Sequence, residues 1–123
     1  MILGLGTDIV DCDRIELALE RHGDRFEERV FTNDERAYCR RMPNPTLHFA
    51  ARFAAKEAAR KAMAEGPDLN WQDVEVIRTP AGPVRLEFHG VAAEVAAGMG
   101  VKRCFLSIAH EQSSAVATVI LED

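Results

Sequence analysis

The sequence has few cysteines, and their spacing does not fit a cross-linked framework. Cys12, Cys39 and Cys104 are odd in number and far apart, and no Cys-x-x-Cys pair occurs. A disulfide-rich domain and a zinc knuckle both need paired or closely spaced cysteines, so neither is indicated. We expect reduced thiols, as in a cytoplasmic protein.

Long apolar runs and an excess of positive charge are also missing. No run approaches the ~20 apolar residues of a membrane-spanning helix, and no basic segment followed by an apolar one resembles a secretion signal. The formal net charge of −5 argues against a general binder of nucleic acid or anionic membranes, because both repel an acidic partner. Any phosphate binding must therefore be local. At 123 residues, we expect one domain, 1–123, in the cytoplasm.

The clearest helix of the sequence runs from Phe49 to Lys61. This stretch has no glycine or proline, is rich in alanine, and repeats apolar residues at helical intervals. Projected at roughly 100° per residue, Glu57 falls inside the apolar arc, between Phe53 and Ala50. A carboxylate facing a core is costly unless it meets a cation. Two interpretations are open: an ion pair with Lys61 four residues on, or a metal ion shared with a second carboxylate.

Asp8 is the second acid in an apolar setting. It lies in an opening segment that predicts a strand, in which Gly4 and Gly6 permit close approach of another backbone. This makes Asp8 the natural partner of Glu57 in a metal site. The alternative is a helix or turn cap, because Asp11 indicates that capping chemistry is nearby.

Arginines recur in the next segment, which predicts a short helix from Asp13 to about His22 that Gly23 ends or bends. As far as the helix continues, the arginines at spacings of seven and four share one face. One interpretation is a solvated face with salt bridges to the interspersed acids. The other is a contact stripe for an acidic protein, with a phenylalanine as apolar anchor. The stripe consists of Arg14, Arg21, Arg25, Phe26 and Arg29.

The remaining elements are two helices followed by a second half that is mostly sheet. A capping box, Thr32 to Glu35, begins a helix through about Arg41, and the central helix begins near Thr46 and ends by Gly66-Pro67. Later segments predict a hairpin, a short helix and two more strands: Val74–Arg78, Val84–Phe88, Val91–Ala97, Arg103–His110 and Ala115–Leu121.

Basic and aromatic residues near these elements have two interpretations each. The cations of the central helix could form a solvated face or hold phosphates, and they are Arg52, Lys56, Arg60 and Lys61. His110 lies where a strand meets a loop, which is typical of a functional side chain but also of a structural cap.

Three stretches match, in order and spacing, those of one enzyme family. They are Gly4-Leu5-Gly6-Thr7-Asp8-Ile9-Val10, Arg52-Phe53-Ala54-Ala55-Lys56-Glu57-Ala58 with Lys61, and Ser107-Ile108-Ala109-His110. With them the chain resembles, over essentially its whole length, the holo-[acyl-carrier-protein] synthase type of 4′-phosphopantetheinyl transferase. The resemblance implies an α+β domain with a mainly antiparallel sheet and a long central helix. It also implies a trimer with coenzyme A between neighbouring subunits.

The resemblance assigns roles to individual residues. In that family the acids matching Asp8 and Glu57 hold Mg2+, which also binds the pyrophosphate of coenzyme A. The 4′-phosphopantetheine arm moves to a serine of apo acyl carrier protein, and 3′,5′-ADP leaves. The position of Lys61 implies contact with phosphate or the leaving group, and that of His110 implies coenzyme A binding. The resemblance also implies that Lys56 is a supporting residue that contributes to coenzyme A binding, and Glu57 is also a candidate general base.

Family members bind the acidic helix of the carrier protein with their first helix. The resemblance therefore makes the arginine stripe the predicted carrier contact. Two departures from the family pattern concern the binding of the phosphates of coenzyme A. After the central helix, the chain has Ala64-Glu65-Gly66-Pro67 in place of a Gly-Thr-Gly-like turn. Later, Gly82-Pro83 lacks the lysine of a Gly-Lys-Pro turn, and Arg85 could substitute for that lysine. A non-catalytic binder and a small Mg2+-dependent nucleotide hydrolase remain alternatives.

Overall fold

The computed structural model describes residues 1–64 and 69–123. Within them the chain forms an α+β fold in which helices cover antiparallel strands. The helices are α1 (Cys12–His22), α2 (Asp24–Val30), α3 (Asn33–Arg41), α4 (Pro45–Ala62) and α5 (Gly90–Met99), with a 3-10 turn at Trp71–Asp73. The strands are β1 (Ile2–Asp11), β2 (Val74–Ile77), β3 (Arg85–Phe88), β4 (Arg103–His110) and β5 (Ser114–Glu122). None of the described helices is long and apolar enough to cross a membrane.

The strands form two antiparallel sheets. The larger has the order β1-β5-β4, and the smaller is the hairpin β2-β3. In β5 every second residue is buried, including Val119 and Leu121, which point toward the core beneath α4. Phe31 and Phe49 fill that core with ring centroids 4.8 Å apart.

The helix α4 lies directly on the backbone of β1 because two glycines make room for it. A Cβ atom at Gly4 would lie 2.0 Å from the carbonyl oxygen of Ala62, and one at Gly6 would lie 1.9 Å from that of Ala58. Any side chain at either position would push the helix away. Since alternate residues of a strand share a face, Asp8 is directed toward the same side as the two glycines.

The burial of α4 extends well beyond one apolar arc. Ten of its 18 residues are buried, and these include Arg52 and Lys56. Alanine explains why, because small side chains let other elements approach the helix from several sides. The sequence pattern predicted one buried face. For the basic residues it left two interpretations open, a solvated face or a phosphate site.

Most of the predicted elements are present, with shifts at their ends. The capping box at Thr32 and the antiparallel hairpin are confirmed. The helix α4 begins at Pro45, where a proline is tolerated because the first helical N–H has no partner within the helix. It ends at Ala62; the predicted end at Gly66-Pro67, like Glu65, lies outside the described residues. Gly23, at a φ of 51°, ends α1 and separates it from α2, so the arginine stripe spans two helices.

Candidate active site

The first feature of the site is an ion pair that joins β1 to α4. The Nζ atom of Lys61 lies 3.0 Å from Oδ1 of Asp8 and donates a second hydrogen bond to the backbone oxygen of Thr7, also at 3.0 Å. The Asp8 side chain is 16% exposed and that of Lys61 is 49% exposed. The helix cap that was the alternative role of Asp8 belongs to Asp11, whose side chain accepts from the amide of Asp13.

Glu57 has a different partner from the one that its spacing indicated. Its Oε1 atom pairs with Nη1 of Arg60 at 3.3 Å, whereas Lys61 pairs with Asp8. Glu57 lies four residues before Lys61, so the two share one face of α4. Each acid uses one carboxylate oxygen in an ion pair with a different cation, Asp8 with Lys61 and Glu57 with Arg60.

Lys56 lies inside the protein. Its Nζ atom donates to the carbonyl oxygens of Trp71 at 3.1 Å and Val74 at 2.6 Å, and it pairs with Oε1 of Glu35 at 2.8 Å. Burial lowers the pKa of Lys56, against the opposing effect of Glu35. An ammonium group has three donors, and all three are used here. The residue therefore pins α4 to α3, to the 3-10 turn and to β2. The coenzyme A contact expected for Lys56 is wrong, because no donor of its ammonium group is left for a ligand.

A second group of cations surrounds the beginning of α4. His110, which is exposed at the end of β4, lies edge-to-face with His48, their ring centroids 6.0 Å apart. Burial lowers the pKa of His48 below its usual value, and the charges of Arg52, His110 and Arg78 lower it further. Burial and the surrounding positive charge thus favour the neutral form of the His48 ring.

Arg52 is the innermost of these cations. Only 4% of it is exposed, its guanidinium lies 4.2 Å from the ring centroid of Tyr38, and its Nε atom is buried with no hydrogen-bond partner among the described residues. Arg52 lines a pocket of about 250 Å³ together with Arg41 and Arg78, and the acids Asp34 and Glu35 line the same pocket. The three guanidinium groups outnumber the two carboxylates, so the lining keeps a small excess of positive charge.

The arginine stripe borders two pockets that share one phenylalanine. Phe26 lines one pocket with Arg25 and Arg29, and another with Arg14; Arg21 lines neither. The acids of α2 do not neutralise these arginines, because they pair with α3: Asp24 and Glu28 with Arg36, and Glu27 with Arg36 and Arg40. Within the described residues, no carboxylate lies in ion-pair range of the four arginines of the stripe.

The sequence model of one protein family, the 4′-phosphopantetheinyl transferase superfamily, matches residues 4–119 of the chain. The chain belongs to this superfamily. The holo-[acyl-carrier-protein] synthase of Koribacter versatilis is 50% identical over 125 aligned residues, covering 100% of both chains. The crystal structure of the holo-[acyl-carrier-protein] synthase from Neisseria meningitidis matches with a TM-score of 0.90 and 29% identity over 100% of both chains. That from Bacillus anthracis in complex with CoA (3′,5′-ADP) matches with a TM-score of 0.79 and 34% identity over 98% and 96%.

These relatives assign the chain to the holo-[acyl-carrier-protein] synthase family, and it is an enzyme of that family. Sequence reasoning missed His48, Tyr38, Arg41 and Arg78 as neighbours of the site. The spacing of His48 and Arg52 by four residues could have placed them on one helical face. No such spacing could identify Tyr38 and Arg41 of α3 or Arg78 after β2, because their positions depend on how distant elements pack.

Proposed function

We propose that the protein transfers the 4′-phosphopantetheine arm of coenzyme A to a serine of apo acyl carrier protein, with Mg2+, and releases 3′,5′-ADP. The observation that carries the proposal is the meeting of Asp8 and Lys61 across β1 and α4, one helical turn from Glu57. This contact supports the proposal, because the family's chemistry needs two acids and a lysine, and Glu57 lies on the same helical face as Lys61. The relatives with bound coenzyme A support the substrate.

The donor set at Asp8 and Glu57 fits Mg2+. This ion prefers oxygen ligands and is usually bound through one or two carboxylates plus substrate phosphates and water. Both side chains are partly exposed, at 16% and 26%, and each ion pair occupies one of the two carboxylate oxygens. When bound, the ion would neutralise charge on the pyrophosphate of coenzyme A.

In the proposed reaction, the serine oxygen of the carrier attacks the β-phosphate of coenzyme A. A new oxygen–phosphorus bond forms, the bond between that phosphorus and the bridging oxygen of the pyrophosphate breaks, and 3′,5′-ADP leaves. The ammonium of Lys61 is suited to stabilise the negative charge that develops on the leaving oxygen. The serine proton passes to a base, for which Glu57, directly or through an ordered water, is the candidate.

The cations around Arg52 are suited to the remaining anionic group of coenzyme A. Apart from its pyrophosphate, coenzyme A carries a phosphate on the ribose, and His110 and Arg52 both lie near His48 in the first half of α4, together with Arg78. Lys56 takes no part in this proposal, since its three donors are bound within the protein. It supports the site by fixing the helix that carries Glu57.

We further propose that three chains associate through the outer face of the larger sheet. This face exposes Leu5, Ile9 and Phe105, at 64%, 69% and 50%. In the strand register, Leu5 and Phe105 flank Ile120 in one row across the sheet. An apolar face of this kind is typical of an interface between proteins. Sedimentation should give a trimer for the native chain and a smaller species for Phe105→Glu; a native monomer would reject the proposal.

The arginine stripe is the proposed docking surface for the carrier protein. Its arginines are exposed, the acids of α2 pair with α3, and Phe26 offers an apolar anchor between them. Arginines that are not engaged in ion pairs attract an acidic helix and orient it before contact.

The proposed function is tested by incubating the full chain with apo carrier protein, coenzyme A and Mg2+ and measuring the intact mass of the carrier. We expect the mass to increase by one phosphopantetheine, with no increase when the attachment serine is replaced by alanine. Binding without a mass increase would indicate a non-catalytic binder. Release of nucleotide or phosphate without the carrier would indicate a hydrolase instead.

A further inference from the structure

A second group of metal-binding side chains lies on the hairpin, on elements other than those that carry Asp8 and Glu57. One carboxylate oxygen from each of Glu75 and Glu87 and one ring nitrogen of His89 lie within 4.8 Å of one another. Glu87 lies in β3, His89 follows directly after that strand, and Glu75 lies in the neighbouring strand β2. The proposed transferase chemistry uses none of the three.

The register of the hairpin sets the two acids against each other. Glu75 of β2 is the direct partner of Glu87 of β3. Like charges directly opposite each other in an antiparallel pair are destabilising. The pair therefore favours a cation between the strands, and the ring of His89 approaches both acids: its Nε2 atom lies 3.0 Å from Oε1 of Glu75 and 3.8 Å from Oε1 of Glu87.

The other oxygen of each carboxylate is held by a neighbour. The hydroxyl of Thr32 donates to Oε2 of Glu75 at 2.7 Å, and Nη1 of Arg85 donates to Oε2 of Glu87 at 3.1 Å. The Oε1 atoms are the ones nearest the imidazole. Hydrogen bonds that fix the orientation of a ligating carboxylate in this way are characteristic of metal sites.

We propose that Glu75, Glu87 and His89 bind a divalent transition-metal ion of the Zn2+ class. Bonds of about 2.0–2.1 Å in a tetrahedral site separate neighbouring ligand atoms by roughly 3.3 Å. The separations of 3.0 and 3.8 Å between Nε2 of His89 and the two Oε1 atoms lie on either side of that value. One imidazole nitrogen with two carboxylate oxygens suits Zn2+, Co2+ or Ni2+ and leaves a fourth position for water. Mg2+ is disfavoured because it prefers oxygen ligands alone.

The site is open to solvent. The side chains of Glu87 and His89 are 44% and 43% exposed, so an ion can enter without movement of the backbone. Glu75, at 12%, forms the floor. His89 also precedes α5, but its side chain makes no capping hydrogen bond, so replacing it leaves the start of the helix intact.

The test is a calorimetric titration of the full chain with Zn2+ in the presence of excess Mg2+, repeated with Co2+ while recording its visible absorption. Three variants are compared: His89→Ala, Glu87→Gln, and the matched control His22→Ala, an exposed histidine on α1. We expect one Zn2+ per chain at this site. The affinity should fall about tenfold or more in His89→Ala and Glu87→Gln and stay unchanged in the control. Tetrahedral Co2+ absorption should disappear with the first two variants.

Two results would overturn the proposal. One is native Zn2+ affinity and stoichiometry in both His89→Ala and Glu87→Gln. The other is no Zn2+ binding by the native chain, which would mean that His89 alone bridges the two acids. Thermal melting of each variant checks that it is folded. Glu87→Gln removes a like-charge contact and an exposed ion pair with Arg85, and such exposed pairs contribute little to stability. The readout is metal binding, so its outcome is independent of transferase activity.

Discussion

Lys61 and Asp8 form an ion pair of 3.0 Å between a helix and a strand whose backbones are in contact. The pair holds the carboxylate of Asp8 beside the face of α4 that carries Glu57. It also leaves the lysine half-exposed, where a bound anion could share its ammonium group. Gly4 and Gly6 let the helix approach the strand, and Lys61 pairs with Asp8 across the same contact.

Replacing Lys61 tests its proposed role at the leaving group. Lys61→Gln should lower kcat by about a hundredfold or more with a smaller effect on the KM for coenzyme A, since charge stabilisation acts mainly in the transition state. Lys61→Arg, which keeps the charge, should restore part of the rate. Steady-state kinetics with apo carrier checks this, and a kcat within twofold of the native value would contradict it.

The carrier surface is tested by reversing charge on the arginine stripe. Arg14→Glu with Arg21→Glu should raise the KM for carrier about tenfold or more, because each reversal replaces attraction to an acidic helix with repulsion. The KM for coenzyme A should change little. Lys102→Glu is the matched control, since Lys102 is an exposed basic residue before β4. Equal effects on both KM values would reject the assignment.

The buried ion pair between Lys56 and Glu35 should be important for stability. Glu35→Gln removes the negative partner of an ammonium that is 0% exposed, and we expect the free energy of unfolding to fall by about 3–5 kcal/mol. The matched control is Glu28→Gln, which removes an exposed partner of Arg36 and should cost about 0–1 kcal/mol. Urea denaturation measures the free energy of unfolding of both variants. Equal losses in the two variants would show that burial does not determine how much an ion pair contributes to stability.

Lys56 also illustrates where the sequence is insufficient. The helix and the position of Glu57 on its apolar arc could be predicted from the local sequence pattern. The burial of Lys56 could not, because Glu35 lies 21 residues earlier and Val74 lies 18 residues later, so the partners meet only in the tertiary structure. For the same reason spacing paired Glu57 with Lys61, whereas Asp8 of a distant strand is the actual partner of Lys61.

The arginine stripe illustrates a different limit. Its residues could be identified from the sequence, but their common face depended on one continuous helix. Gly23 adopts a positive φ and divides the segment, and Phe26 lines one pocket with Arg25 and Arg29 and another with Arg14. The pairing of α2 acids with α3, which leaves the stripe positively charged, required the packing of two helices.

The three thiols should resist alkylation in the native protein. Burial raises the pKa of Cys39 to about 12 and that of Cys104 to about 11, and burial with two nearby aspartates raises the pKa of Cys12. A raised pKa reduces the thiolate, which is the reactive form; at pH 8, a thiol of pKa about 11 is roughly one thousandth ionised. A thiol assay should therefore detect little reaction at pH 8 and three groups in denaturant. Rapid native reaction of Cys104 would contradict this.

The most direct test of the central claim compares Mg2+-dependent transfer by the native chain, Asp8→Asn and Glu57→Gln, read as the intact mass of the carrier over time. Glu94→Gln, which changes an exposed acid on α5, is the control. The account predicts that each site variant transfers at least about a hundredfold more slowly and needs more Mg2+ for half its maximal rate, while the control behaves as the native chain. Native rates in both site variants at the same Mg2+ concentration would contradict it.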